Sequence, residues 1–160
     1  QAARTLNFLT EHEIESYPDL ESRVAEITAA SAEAAAALKA AERRLAEMAV
    51  LIKDATTCKE LRPLIQEYQR AVDKKQFRRK HEGALILYEA AAKALKEQGL
   101  QKLPDLYALK NEYKQLAEQK DQMQRQYAEI KRQMQEYDII KQNVDGVLFL
   151  NHRQERDKTL

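Results

Sequence analysis

Glycine and proline are scarce in this chain of 160 residues, three of each, and tryptophan is absent. So few chain breakers exclude a turn-rich sandwich or barrel, in which strands alternate with Gly/Pro-rich loops. A single cysteine, Cys58, excludes an internal disulfide and suits a reducing compartment, so the chain reads as cytoplasmic. No apolar run approaches the roughly 20 residues that a membrane-spanning helix needs, and no membrane partner is expected. The opening Gln1-Ala2-Ala3-Arg4 has neither an initiator Met nor the apolar stretch of a signal peptide, and reads as a mature fragment or an excised part of a longer protein. There is no Gly-rich phosphate loop. The three histidines, His12, His81 and His152, lie on separate segments, so no catalytic site, metal site or cofactor is expected.

What is abundant is charge and helix-forming residues. A third of the chain is charged, and Ala, Glu, Lys, Leu, Gln and Arg dominate, the composition of long helices. The net charge of +1 hides an asymmetry. From Glu11 to Glu33 seven acidic residues oppose Arg23 alone, whereas Lys59 to Lys80 carries eight basic residues against Glu60, Glu67 and Asp73.

Periodicity sets the architecture. Leu20, Val24, Ile27, Ser31, Ala34, Leu38, Ala41, Leu45, Met48 and Ile52 alternate spacings of four and three, which is a heptad seam. The same alternation runs from Leu106 through Leu109, Tyr113, Leu116, Lys120, Met123, Tyr127, Ile130, Met134, Tyr137 and Lys141 to Val144. Tyr17-Pro18-Asp19-Leu20 and Leu103-Pro104-Asp105-Leu106 start both helices with Pro near the first position and Asp in the electropositive first turn. The spacing predicts an all-α fold, an elongated antiparallel coiled coil of two long helices with a short helical hairpin as its head. The alanine-rich stretch Ala29 to Ala41 would allow the closest backbone approach.

The expected layout is one helical domain: a short N-terminal helix within 1–16, a long helix over 18–54, a hairpin head over 57–99, a second long helix over 104–144 and a tail over 145–160. Thr56-Thr57 should end the first long helix. Leu61, Leu64, Ile65, Tyr68 and Val72 form one apolar face of the hairpin, and Leu85, Tyr88, Ala91, Ala92 and Leu95 the other, with Gly99 closing it. Past Asp145-Gly146, Val147 to Leu150 is read as a cap on the bundle and Asn151 to Leu160 as frayed.

The seven tyrosines raise the question of a nucleophile, but Tyr113, Tyr127 and Tyr137 fall on the seam and Tyr68 and Tyr88 on apolar faces, which points to packing. Glu11-His12-Glu13 resembles a ligand set only on paper, since adjacent helical residues point apart. Lys120 and Lys141 interrupt the seam as register-setting polar residues do. The best candidate surface is Lys74-Lys75-Gln76-Phe77-Arg78-Arg79-Lys80-His81, five cations around an aromatic at the turn of the head. Lys74, Lys75, Arg78, Arg79 and Lys80 could neutralise nucleic-acid phosphates, dock an acidic protein, or merely solvate a turn. Phe77 could stack on a base or staple the head against His81.

Four blocks carry a resemblance: Phe77-Arg78-Arg79-Lys80-His81-Glu82; Ile86-Leu87-Tyr88-Glu89-Ala90-Ala91; Leu103-Pro104-Asp105-Leu106 with Leu109; and Ile139-Ile140-Lys141-Gln142-Asn143-Val144-Asp145. In this order and spacing, with Leu6-Asn7-Phe8-Leu9 and Ser16-Tyr17-Pro18-Asp19-Leu20 before them, they resemble the C-terminal helical region of relaxase/mobilisation nucleases from bacterial conjugative and mobilisable elements. The resemblance covers most of the chain up to Asp145. It implies a parent enzyme that nicks one DNA strand through a tyrosine, using a histidine cluster and a divalent metal. No paired histidines separated by one apolar residue occur here, so no nuclease residue carries over. What it implies for this chain is an accessory role: gripping DNA near the nick, recruiting relaxosome partners, or presenting the protein to the secretion channel through secretion-coupling proteins. The rival expectation is a purely structural spacer or dimerisation arm.

Overall fold

The computed structural model describes residues 1–158, which form five helices and, among the described residues, no strand. In chain order they are α1 (Ala2–Glu11), α2 (Tyr17–Arg70), α3 (Lys74–Lys80), α4 (Glu82–Glu97) and α5 (Leu106–Lys158). The chain divides into two compact units, one formed by Gln1–Lys39 with the chain from Asp121 on, the other by Ala40–Lys120. Both α2 and α5 contribute to each unit.

The seam positions behave as their spacing requires. On α2, Leu20, Ser31, Ala41, Leu45 and Met48 are buried and Val24, Ile27, Ala34, Leu38 and Ile52 half-buried. All twelve seam positions of α5, from Leu106 to Val144, are half-buried, including Lys120 and Lys141. An apolar stripe at alternating spacings of three and four faces one side of a helix, and on both α2 and α5 that side is the one turned from solvent.

In the first unit, Phe8, Ile14, Leu20 and Ile140 form a buried cluster, with Leu9, Val24, Tyr137 and Val144 packed around it. Ile14 reaches it because the chain turns sharply after α1: Glu13 takes a left-handed φ of 53°, and the Ile14 N–H donates to the Leu9 carbonyl at 2.9 Å. Phe8 meets Tyr137 edge-on at 5.0 Å and stacks on His12 at 3.9 Å. Ser16 begins α2, its hydroxyl accepting from the Asp19 N–H at 3.3 Å. The Tyr17 hydroxyl donates to Asp145, and Lys141 Nζ donates to the same carboxylate at 2.9 Å. This clasp ties the start of α2 to α5.

In the second unit, Cys58, Ala91 and Leu95 are buried together, with Leu51, Tyr88, Ala92 and Leu100 against them, so α4 lies on α2. Gly99, at φ 79°, ends α4: its N–H donates to the Lys96 carbonyl and that of Leu100 to Leu95, a Schellman closure that requires a left-handed residue. Asp105 caps α5, its carboxylate accepting from the N–H groups of Tyr107 and Ala108. Lys120 lies 4.0 Å from Glu42, and Arg44 3.8 Å from Glu112. Within this unit α2 and α5 therefore run in opposite directions.

Three expected boundaries differ. Thr56-Thr57 does not break α2, because the Thr56 and Thr57 hydroxyls donate to the carbonyls of Ile52 and Lys53, at 2.7 and 3.0 Å, and so stay within the helix. The first arm of the expected hairpin is therefore the end of α2, and the chain first breaks after Arg70. There Val72, expected on the apolar face, is fully exposed at 105 %. Likewise α5 runs through Asp145-Gly146, since Asp145 is held by Tyr17 and Lys141 and one glycine costs a helix only about 1 kcal/mol. Val147 to Leu150 consequently lie exposed on a helix instead of capping a bundle, and the stretch expected to fray is helical as far as Lys158, with 159–160 outside the described residues. No helix is long and apolar enough to cross a membrane among the described residues.

Candidate nucleic-acid interface

The basic run is a helix of its own. Asp73 caps α3, its carboxylate accepting from the Gln76 N–H at 3.0 Å, and the last turn holds Arg78, Arg79 and Lys80, where cations complement the negative end of the helix. With 3.6 residues per turn, residues four apart share a side. Phe77 and His81 share one, Lys74 and Arg78 the next, Lys75 and Arg79 the third, and Gln76 and Lys80 the last.

The side of Phe77 faces inward. Its ring lies 5.8 Å from Tyr68 of α2 and 4.5 Å from His81, and Phe77 and His81 are both half-buried. Arg78 points along α4 and forms a two-pronged pair with Glu89, Nη1 and Nη2 donating at 2.9 and 3.2 Å. The hydrogen bond from Arg78 holds the Glu89 carboxyl below its ordinary pKa, while the same bond, helped by Tyr68, raises that of the guanidinium. Lys75 and Arg79 stand roughly opposite Phe77, and Lys74 and Lys80 lie on the two sides between them and Phe77. All four are exposed, and among the described residues none has a carboxylate within 4.0 Å.

The six residues singled out from sequence thus separate. Lys74, Lys75, Arg79 and Lys80 present free charge to solvent, whereas Phe77 and Arg78 hold the helix in place. The Arg78–Glu89 pair left no local signal, being eleven residues apart and on different helices. The Tyr17–Asp145–Lys141 clasp left only half of one, the four-residue step from Lys141 to Asp145.

Other candidates resolve into packing. His12 lies on Phe8 with Nδ1 2.9 Å from the Phe8 carbonyl, and His152 is 3.9 Å from Glu155. Among the described residues no three His, Cys, Asp or Glu side chains gather as a metal site. Cys58 borders a surface hollow with Arg62, Tyr88, Gln101, Lys102 and Leu103, and burial, then the charge of Asp54, pushes its thiol above the ordinary pKa. A thiol so shifted is a poor nucleophile. No family model, curated protein or solved structure matches the chain.

Proposed function

We propose that the chain is a non-catalytic accessory module that holds DNA through the exposed cations of α3, and that it serves a conjugative relaxase in the bacterial cytoplasm, as the sequence resemblance implies. The observation that carries the reading is the division of charge on α3. Four cations face solvent unpaired, while Phe77 and the Arg78–Glu89 pair fix the helix that presents them. Cations held in place on a fixed helix can displace condensed counterions from a nucleic-acid backbone, the main source of sequence-independent affinity. Relaxosome or secretion-coupling proteins are the partners that the parent context adds, and an acidic one would compete for the same side chains.

A structural reading is favoured by a different observation. The regular burial of both seams fits an antiparallel coiled coil of α2 and α5, a spacer on which the basic head is carried. Pairing of α2 with α5 within one chain supports a monomer over a coiled-coil homodimer, which light scattering decides by mass.

The test is fluorescence anisotropy of labelled single- and double-stranded DNA titrated with the chain and with a variant changing Lys74, Lys75, Arg79 and Lys80 to Glu. Binding that disappears in the variant, with circular dichroism unchanged, supports the proposal. Equal binding by both proteins, or by neither at low salt, refutes it and leaves the spacer.

A further inference from the structure

We infer that α3 reads only the phosphodiester backbone, without stacking on bases, and that Phe77 and Arg78 are positioning residues that do not touch the nucleic acid; this deepens the reading above and depends on it. An aromatic among cations ordinarily signals a base-stacking platform, in which the ring must present a free face to solvent. Here the Phe77 ring is engaged on the inner side of its helix, 5.8 Å from Tyr68 and 4.5 Å from His81, and the residue is half-buried. Turning it out would undo the contacts that seat α3. Of the two guanidinium groups on the helix, that of Arg78 is held by both its prongs on Glu89, which leaves that of Arg79 as the one free planar group among the lysines.

What remains outward is Lys75 and Arg79 on one side, with Lys74 and Lys80 beside them. Three of these four are lysines, which act on phosphate as point charges and carry no planar fork for base edges. Three point charges and a single guanidinium contact chiefly phosphate, and with no aromatic face turned outward the helix has no stacking platform for exposed bases.

The experiment compares the full chain on three labelled probes of equal length: oligothymidylate, the same strand made of abasic sites, and a mixed-sequence duplex. The abasic and thymidylate strands should bind within about two-fold of each other, since stacking on a single base would be worth roughly five-fold or more. Phe77→Leu, which keeps an apolar plug, should bind within about two-fold of the parent on every probe, whereas Lys75→Gln with Arg79→Gln should lose several-fold or more on all three. Abasic binding weakened five-fold or more overturns the inference but leaves the reading of α3 as a DNA-contacting surface intact. A loss confined to the base-bearing probes in Phe77→Leu does the same. Failure of all three probes to bind, with an acidic polypeptide binding instead, overturns both.

Discussion

Leu20 offers the sharpest test of the packing. It is 1 % exposed, on the seam of α2, against Phe8, Ile14 and Ile140. Leu20→Ala removes three buried carbons, about 2.4 kcal/mol of transfer free energy at about 0.8 kcal/mol each. The cavity adds to this, because three helical segments converge there and cannot all close in, so a total of about 3 to 4 kcal/mol is expected. Val50 on the same helix is 52 % exposed. Val50→Ala loses about half of a two-carbon transfer term and regains about 0.6 kcal/mol of helix propensity, leaving the stability within about 0.5 kcal/mol of the parent. Urea denaturation followed by far-ultraviolet circular dichroism reads both as midpoint shifts at constant m. A cost below about 1 kcal/mol for Leu20→Ala, or equal costs for the two, would refute the assignment of the seam.

Other consequences follow from particular contacts. The hydrogen bond from Tyr17, then that from Lys141, lowers the pKa of Asp145, so its contribution is present above about pH 4 and is lost as the pH falls through its depressed value. Tyr17 and Lys141 are raised, each first by its bond to Asp145, so theirs is present below about pH 10 and lost as the pH rises through the raised values. Thermal melts across pH should therefore soften at both ends, and Asp145→Asn should flatten both limbs while leaving the acid loss from Glu89 in place. Cys58, buried and shifted upward, should react with a thiol reagent far more slowly in the native chain than in urea; equal rates would contradict its burial. Pro63 lies inside α2, where it cannot donate to the Lys59 carbonyl, and Pro63→Ala should raise stability by at least about 1 kcal/mol, read from the melting midpoint.

The helical class and the seam residues were legible because a heptad is a local pattern repeated many times: each seam position from Leu20 to Ile52 and from Leu106 to Val144 is buried or half-buried. The end of α4 was legible for a related reason, since Gly99 meets a specific backbone need. Boundaries argued from single polar residues fared worse. A threonine pair reads as a break only if its hydroxyls leave the helix, and at Thr56 and Thr57 they turn back into it. Asp145-Gly146 reads as the end of the long helix until Tyr17, 128 residues away, takes up the carboxylate. The basic run was visible in sequence, but not its division into presenting and anchoring side chains, because that division depends on Glu89 and Tyr68 from two other helices.

The most direct test of the central claim is the salt slope of DNA binding. Four outward cations can neutralise at most about four phosphates, so the logarithm of the association constant for duplex DNA should fall against the logarithm of salt with a slope no steeper than about −3.6. Each Gln replacement among Lys74, Lys75, Arg79 and Lys80 should reduce that slope by about 0.9, while Arg78→Gln, if the helix remains folded, should leave it unchanged. A slope that these four replacements do not alter, or one that Arg78→Gln reduces as much as they do, would contradict the account.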